Sequence, residues 1–247
     1  MIDIIIPVLN EEQILTKEAR YYQALKNKAR VIFVDGGSAD RTVEIARGFG
    51  DVVSSDPGRG VQKHSGALRS TSKLLLFLHV DTKIDMRALD RMGQAMKEGA
   101  IGGCLTMRIQ DDRFIFRVYE RIVNFRAKAF GVIDGDLGMF VRRDAFDQLG
   151  GFDLLPVMED ITFARKLSKA GPISVLPNTI VVSSRKWQER GFVRTFWEYT
   201  IAYLQLWNGS LTAKYNNGHR RPSFPMPPEK VKGVPTISFK RGRNRLE

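Results

Sequence analysis

The sequence predicts an α/β fold with a mostly parallel central sheet flanked by helices. In the first half of the chain, short apolar runs alternate with longer segments of helical periodicity, the pattern of βαβ units. Polar residues follow directly after these runs, as they do where parallel strands end at a ligand-binding crevice. With 247 residues, of which 43% are apolar and 27% charged, the chain is long enough to bury a sizeable core.

Four predicted strands and their connecting helices account for the first hundred residues. Ile2–Val8 is the first strand, and Asn10 after it is the expected N-cap of a helix, with Gln13 at the reciprocal capping-box position. The other strands are residues 31–34, 52–54 and 74–78. Helices are expected over residues 40–48, 61–71 and 85–98.

The second half of the chain is less regular. Its predicted strands are residues 101–109, 173–176 and 180–182, and its helices are Phe114–Phe130, residues 161–170 and Phe192–Trp207. We expect a single domain over residues 1–218. Residues 219–247 hold eight lysines and arginines and five prolines, which predicts a basic, extended tail.

Charge and cysteine content limit the partners and the compartment. The chain has 39 basic and 27 acidic residues, a net charge of +12, which favours an anionic partner or a solvated basic surface. Cys104 is the single cysteine, so an internal disulfide is excluded and a reducing compartment fits. We expect no signal peptide and no membrane-spanning helix. A cytoplasmic protein is predicted, and peripheral membrane contact remains open.

Two glycine-containing segments are candidates for nucleotide contacts. Asp35 ends a strand and precedes Gly36-Gly37-Ser38, so its carboxylate is placed to accept hydrogen bonds from a base or a ribose; an ordinary capped turn is the alternative. Gly58-Arg59-Gly60 is compatible with a phosphate cradle or with a surface turn. Neither segment matches a Walker A loop or a G-x-G-x-x-G fingerprint.

Two pairs of polar residues are candidates for catalysis. If residues 79–81 are extended, His79 and Asp81 share one face at a strand end, where they are able to hold Mg²⁺ or Mn²⁺. The alternative is a histidine bonded to backbone. Glu159 and Asp160 precede a predicted helix and are either helix caps or, in a cleft beside a diphosphate, candidates for a general base.

An ordered set of motifs resembles a known family. The segments are Pro7-Val8-Leu9-Asn10-Glu11-Glu12, Val34-Asp35-Gly36-Gly37-Ser38, Gly58-Arg59-Gly60-Val61-Gln62, Leu78-His79-Val80-Asp81, Gly135-Asp136, Gly150-Gly151-Phe152, Met158-Glu159-Asp160 and Ser184-Arg185-Lys186-Trp187. Together they resemble family 2 glycosyltransferases of GT-A fold, and within them the bacterial subgroup associated with radical-SAM/selenodomain proteins. The likeness covers residues 2–215.

The resemblance implies an inverting sugar transfer from a nucleotide-diphosphate sugar, with a UDP-sugar favoured. It divides the domain into a nucleotide-binding half, about residues 1–100, and an acceptor half, about 101–218. Asp160 is the implied base, beside Glu159, and Asp81 with His79 the implied site for Mg²⁺ or Mn²⁺. The residues that it places on the donor are Pro7, Leu9, Glu11, Asp35, Arg59, Gln62, His79, Asp81 and Arg185. Those that it places on the acceptor side are Gly135, Asp136 and Trp187.

The chain departs from the family pattern at three positions. His79 stands where the first acid of the D-x-D motif is expected, which removes an anionic metal ligand. Leu137 follows Gly135-Asp136 where the subgroup has glutamine. The segment Ser183-Ser184-Arg185 lacks the metal-binding histidine of many GT-A enzymes, and His219 is a poor substitute at the edge of the tail.

Two helices bear on the acceptor. Phe114–Phe130 and Phe192–Trp207 carry many aromatic residues, and the first also carries four basic ones. They are compatible with a lipid-linked acceptor at a membrane surface or with packing in the fold or a homodimer. A nucleic acid partner is not expected for the transferase. Two other functions stay open, a non-catalytic anion-binding protein that associates with membrane or nucleic acid, and a nucleotidyltransferase.

Overall fold

The sheet described by the structure joins eight strands. The computed structural model describes residues 1–153, 155 and 157–207, so the predicted tail and His219 lie outside the described residues. The strands are Ile2–Val8 (β1), Arg30–Asp35 (β2), Asp51–Ser54 (β3), Leu74–Phe77 (β4), Thr82–Ile84 (β5), Gly102–Ile109 (β6), Met139–Arg142 (β7) and Ile173–Val182 (β8). Their order is β3-β2-β1-β4-β7-β6-β8-β5.

Most strand pairs are parallel, which confirms the predicted fold class. The parallel pairs are β1–β2, β1–β4, β2–β3 and β6–β8, and the antiparallel pairs are β4–β7, β6–β7 and β5–β8. The two strands predicted over residues 173–176 and 180–182 are one strand, β8, with an irregular register against β6 between Cys104 and Thr106.

Helices cover the sheet on both faces. They are Glu12–Lys17 (α1), Ala19–Lys26 (α2), Thr42–Arg47 (α3), Arg59–Arg69 (α4), Arg87–Lys97 (α5), Phe114–Phe130 (α6), Arg143–Gln148 (α7), Glu159–Ala170 (α8), Arg185–Arg190 (α9) and Phe192–Trp207 (α10). Within the described ranges, no helix combines the length and apolar character that crossing a bilayer demands.

The alternation of side chains along β1 explains the two layers of core. Ile5 packs in one apolar cluster with Phe77 and residues of α6 and α8, whereas Ile4 and Ile6 pack in a second cluster with residues of α2 and α5. Successive side chains of a strand point to opposite faces, so a strand buried on both faces is apolar throughout. This accounts for the uninterrupted apolar run that marks β1 in the sequence.

The register of β7 positions the loop that precedes it. β7 runs antiparallel to β4, with Met139 opposite Phe77. The loop before β7 therefore lies at the edge of the sheet where the parallel strands β1, β2 and β4 end. Residues 135–137 of this loop form a single 3-10 turn. The same edge thus receives polar segments from both halves of the chain.

Gly66 and Gly93 both lie in helices but differ in the space available for a side chain. A Cβ on Gly66 of α4 would lie 2.5 Å from Ile5 Cγ2 and 2.7 Å from Val34 Cγ2, whereas nothing lies within 4 Å of a Cβ on Gly93 of α5. We expect Gly66→Ala to lower the free energy of unfolding by about 1–3 kcal/mol through overpacking. Gly93→Ala should raise it by about 1 kcal/mol. Urea unfolding measures both, and effects of the same sign would contradict the packing of α4 on β1 and β2.

Candidate active site

Hydrogen bonds join the two loops that follow β1 and β2. The Asn10 amide donates to Ser38 Oγ at 2.9 Å, and Asn10 Oδ1 accepts from the Ala39 amide at 2.8 Å. The Glu11 amide donates to Thr42 Oγ1 at 2.7 Å. Asn10 has a φ of 54° and bridges the loops. The prediction that it caps a helix is wrong, because α1 begins at Glu12 and shows no side-chain cap.

Asp35 is buried and directs its carboxylate into its own loop. It accepts hydrogen bonds from the Gly37 amide at 3.0 Å, the Ser38 amide at 3.1 Å and Ser38 Oγ at 2.5 Å. Gly37 supplies the φ of 95° that this turn requires. The capped turn expected as an alternative is therefore present, and contact between Asp35 and a nucleoside stays a prediction. Pro7, partly buried, and Leu9, exposed, lie at the same strand ends.

Gln62 of α4 holds the ends of β1 and β2 together. Its side-chain nitrogen donates to the Val8 carbonyl at 2.9 Å and to the Val34 carbonyl at 2.7 Å, and the residue is 4% exposed. These bonds use both amide hydrogens. The side-chain nitrogen therefore has a supporting role beneath the strand ends, and a donor contact of Gln62 stays a prediction.

Arg59 begins α4 and is exposed. Gly58 before it has a φ of 133°, and the Gln62 amide closes the first turn on the Gly58 carbonyl at 2.8 Å. The Arg59 cation acts electrostatically on two groups at the edge of the sheet. Burial chiefly raises the pKa of Glu11 and lowers that of His79, and the nearby Arg59 charge lowers both. Arg59 is thus close to the loops that follow β1 and β4.

A cavity of about 400 Å³ opens beside Asp81. Arg185, the first residue of α9, lines it and lies 3.5 Å from Glu11 Oε2. Lys83 on its wall pairs with Glu18 at 2.6 Å. The structure therefore brings together three predicted donor contacts from distant parts of the chain, Glu11, Asp81 and Arg185.

His79 and Asp81 lie in a turn between β4 and β5. The Thr82 amide and hydroxyl both donate to the His79 carbonyl, at 3.1 Å and 2.7 Å. The prediction of an extended segment is therefore wrong. His79 Nδ1 lies 3.1 Å from Asp136 Oδ1, its Nε2 is buried with no hydrogen-bond partner, and Asp81 lines the cavity with Arg185.

Asp160 occupies the second position of α8, where it accepts two backbone hydrogen bonds. Its Oδ1 accepts from the Ile161 amide at 2.8 Å, and its Oδ2 accepts from the Gly135 amide. A Cβ on Gly135 would lie 2.9 Å from His79 Nε2 and closer still to Asp160 Oδ2. Gly135, Asp160 and His79 therefore meet at a point with no room for a further side chain.

The pKa values of the neighbouring carboxyl groups Glu159 and Asp160 shift in opposite directions. Burial and the adjacent Glu159 carboxylate raise the pKa of Asp160 to about 7. Burial opposes the charge of Glu159 too, but the Lys63 ammonium at 2.8 Å more than offsets it, so the pKa of Glu159 is lowered. Such a divergence of neighbouring carboxyl groups is typical of acid–base sites.

Trp187, predicted on the acceptor side, is buried away from the candidate site at the strand ends. It is 4% exposed and packs against Phe116 at 5.6 Å and Tyr119 at 5.9 Å between ring centroids. The predicted contact of Trp187 with an acceptor is therefore corrected to core packing under α9. Gly135 and Asp136, the other two predicted acceptor residues, do lie at the site.

Lys63 and Asp134 also belong to the site, and sequence reasoning missed both. Lys63 is 1% exposed and pairs with Glu159. Asp134 accepts hydrogen bonds from Arg126 at 2.7 Å and from the Tyr203 hydroxyl, directly before Gly135. The local sequence does not show that a lysine in an amphipathic helix is buried. The position of Asp134 directly before Gly135-Asp136, in contrast, was a signal that could have identified it as a site residue.

The described residues supply only part of a metal site. Among them, no group of three His, Cys, Asp or Glu side chains is arranged to hold a metal ion. The contacts of His79 do fit a ligand, because its Nδ1 faces a carboxylate while Nε2 lacks a partner. Mg²⁺ commonly takes one or two protein ligands together with substrate phosphates. The chain's own residues are therefore compatible with a metal completed by substrate.

A polar crevice at the carboxyl ends of parallel strands places the protein in the ligand-binding α/β class. Residues 3–150 match the family model described as Glycosyl transferase family 2. Since this match covers more than half of the chain, the protein belongs to glycosyl transferase family 2. The expectation of a glycosyltransferase is thereby confirmed at the level of the family, and the narrower subgroup stays a prediction.

Among curated proteins, the chain is similar to glycosyltransferase AglE of Haloferax volcanii, with 26% identity over 191 residues. The match covers 69% of this chain and 62% of AglE. An uncharacterized glycosyltransferase of Mycobacterium tuberculosis is 29% identical over 101 residues, 40% of this chain and 45% of the relative. The chain thus spans less than two thirds of these relatives.

Solved structures confirm the GT-A fold. TarS 1–349 of S. aureus in complex with UDP matches with a TM-score of 0.59 and 18% identity, over 74% of this chain and 60% of that one. The mannosyltransferase PcManGT of Pyrobaculum calidifontis, in complex with GDP-Man and Mn²⁺, matches with a TM-score of 0.57 and 16% identity, over 73% and 56%.

The raised pKa of Asp160 predicts a pH-dependent effect of Asp160→Asn. An acid with a pKa of about 3.9 when unfolded and about 7 when folded binds more protons in the folded state between these values. The wild type therefore loses stability as the pH rises across this window. The difference in unfolding free energy, variant minus wild type, should grow by a few kcal/mol from pH 4 to pH 8.

Urea unfolding in metal-free buffer at several pH values measures this difference. Asp90→Asn, at an exposed position of α5, is the control for removal of one carboxylate. A flat profile for Asp160→Asn would contradict the raised pKa. A part of the difference in unfolding free energy that is the same at every pH does not bear on the pKa, because asparagine has one hydrogen-bond acceptor fewer than aspartate at every pH.

Proposed function

We propose that this chain transfers a sugar from a nucleotide-diphosphate sugar to a hydroxyl acceptor, with inversion at the anomeric carbon. The observation that carries the proposal is Asp160, a carboxylate with a pKa of about 7 held beside Gly135 and His79 at the edge where the parallel strands end. A base acts best when its pKa lies near the working pH.

In the proposed reaction Asp160 acts as the general base. It accepts the proton of the acceptor hydroxyl while that oxygen attacks the anomeric carbon from the face opposite the diphosphate. The new C–O bond forms as the bond to the diphosphate oxygen breaks, so one displacement inverts the centre without an enzyme nucleophile. Glu159, held ionised by Lys63, maintains a negative charge beside the base.

Two arginines near Glu11 support the departure of the nucleoside diphosphate. Arg59 acts electrostatically on Glu11, and Arg185, which lines the cavity, lies 3.5 Å from Glu11 Oε2. Positive groups already in place where negative charge develops lower the barrier. We assign Asp81, with His79, to an Mg²⁺ or Mn²⁺ ion, which would supply further neutralisation of the diphosphate.

The donor is proposed to lie with its nucleoside against the loops after β1 and β2. Pro7, Leu9, Glu11 and Asp35 border this region. The complexes of the similar structures, TarS with UDP or UDP-GlcNAc and PcManGT with GDP-Man, support a nucleotide-sugar donor. We favour a UDP-sugar on the resemblance of the motifs.

The acceptor is proposed to be lipid-linked and reached at the cytoplasmic surface of a membrane. Large apolar side chains of α6 and α10 are exposed, namely Phe114, Ile115, Ile122, Phe125, Phe130, Phe196, Trp197, Ile201 and Leu204. Arg121 and Lys128 of α6 are exposed among them. A basic, aromatic surface of this kind suits an anionic bilayer. The Arg126–Asp134–Tyr203 contacts tie both helices to the loop that bears Gly135.

The transfer proposal predicts that Asp160→Asn separates turnover from donor binding. Hydrolysis or transfer of the sugar nucleotide should fall about 10²–10⁴-fold. The thermal shift produced by the nucleotide that the protein binds should persist, because the proposal places Asp160 at the acceptor hydroxyl and not at the nucleoside. The panel is UDP, GDP, CDP and dTDP and their sugars, each with Mg²⁺, Mn²⁺ or EDTA.

A ligand at 100 times its dissociation constant adds about 2.7 kcal/mol of stability, a readable shift. Asp81→Ala should remove the metal-dependent part of the shift, and Asp90→Ala is its control. Turnover that survives Asp160→Asn would overturn the assigned base. An intact fold that no nucleotide stabilises would favour the non-catalytic alternative.

The membrane proposal predicts salt-sensitive pelleting with liposomes that contain phosphatidylglycerol. Phe125→Ser should weaken binding by about 10–150-fold, because burial of a phenylalanine side chain is worth about 1.5–3 kcal/mol and about 1.4 kcal/mol corresponds to a factor of ten. Leu68→Ser, at an exposed apolar position of α4, is the matched control and should bind as the wild type does. Absence of pelleting at low salt would remove the membrane from the proposal.

A further inference from the structure

A buried ion pair joins the two halves of the chain beneath the candidate site. Lys63 Nζ on α4 lies 2.8 Å from Glu159 Oε1 on α8, and both residues are at most 3% exposed. The Lys63 ammonium also lies 5.5 Å from the centre of the Phe152 ring. Charges taken out of water are tolerated only when they are paired. Lys63 and Glu159 therefore specify how α4 and α8 approach each other.

The first turns of α4 and α8 touch where this pair forms. A Cβ on Gly60 would lie 2.7 Å from the Asp153 carbonyl oxygen and 3.2 Å from Glu159 Cβ. Met158, directly before α8, has a φ of 66°, a left-handed conformation that a non-glycine residue adopts only when its surroundings enforce it. The start of α8 is thus held by its contacts rather than by local preference.

The position of Asp160 depends on the position of the first turn of α8. It is the residue after Glu159, and its Oδ2 accepts from the Gly135 amide while Oδ1 accepts from the Ile161 amide. If the first turn of α8 moved away from α4, the bond to Gly135 would open. Arg59 lies one turn before Lys63 on α4, so the same helix also carries the cation that acts on Glu11 and His79.

We infer that Lys63 is a positioning residue: through its ion pair with Glu159 it holds the first turn of α8 so that Asp160 faces Gly135 and His79. The inference rests on the proposed function only in naming Asp160 as the base. Lys63 is 1% exposed and pairs with Glu159, so the proposal gives it no direct contact with nucleotide or acceptor. Its effect on turnover is therefore expected in kcat rather than in donor affinity.

The test compares Lys63→Met with the double variant Lys63→Met/Glu159→Gln. The double variant removes both charges, so it avoids the unpaired buried carboxylate that destabilises the single variant. Lys166→Met is the matched control, because Lys166 of α8 pairs with Asp153 at 2.6 Å in a partly exposed position. All three are measured beside the full-length wild type.

Amide hydrogen exchange of Gly135 provides a readout that does not depend on activity. We expect its protection to fall at least tenfold in Lys63→Met and in the double variant, and to stay unchanged in Lys166→Met. The double variant should regain thermal stability relative to the single variant without regaining Gly135 protection. In turnover assays of Lys63→Met and of the double variant, kcat should fall at least 100-fold, and the KM for the donor should change less than threefold.

Full Gly135 protection in the double variant would overturn the inference, because Lys63 would then only neutralise a buried charge. A return of kcat to the wild-type value in the double variant would overturn it too. If the wild type turns over no sugar nucleotide, the proposed function fails, and Gly135 exchange still decides the role of Lys63.

Discussion

The hydrogen bond from the Gly135 amide to Asp160 joins the loop before β7 to the first turn of α8 at the carboxyl ends of the parallel strands. Gly135 lies in the loop before β7, which the antiparallel pairing of β7 with β4 places beside the end of β4. Asp160 comes from the first turn of α8. Because a Cβ at position 135 would collide with both Asp160 and His79, the absence of a side chain there permits the contact.

Adjacent positions in one helical turn explain why two neighbouring carboxyl groups behave differently. Successive residues of an α-helix point about 100° apart. Glu159 therefore turns into the interior, where Lys63 neutralises it, and Asp160 turns toward Gly135. The ionised Glu159 then contributes to the raised pKa of Asp160. One buried lysine thus influences both groups, Glu159 by direct pairing and Asp160 through the orientation of the helix.

His79 and Asp81, the two residues predicted to correspond to the D-x-D motif, have different surroundings. His79 is directed toward Asp136 and the Gly135–Asp160 contact, whereas Asp81 lies on the cavity wall with Arg185. The turn at residues 79–82 produces this separation. The turn therefore places the His79 imidazole, with a carboxylate on one nitrogen, beside the proposed base, and leaves Asp81 as the acid on the cavity wall.

The alternation of strands and helices, the parallel character of the first half and the polar residues at strand ends were all predictable from the sequence. These features follow from local periodicity: β1 is apolar throughout because both of its faces are buried, and α6 and α10 have the predicted bounds. The ordered motifs also identified the family and most of the residues that meet at the site.

The contacts of these residues were not predictable, because they depend on how distant segments pack. Asn10 bridges two loops, Gln62 binds backbone carbonyls, and Trp187 packs in the core, because their partners lie 28 to 71 residues away in sequence. Lys63 and Glu159 are separated by 96 residues. Local pattern carries no information about such pairs, since burial and charge pairing arise only when distant segments pack against each other.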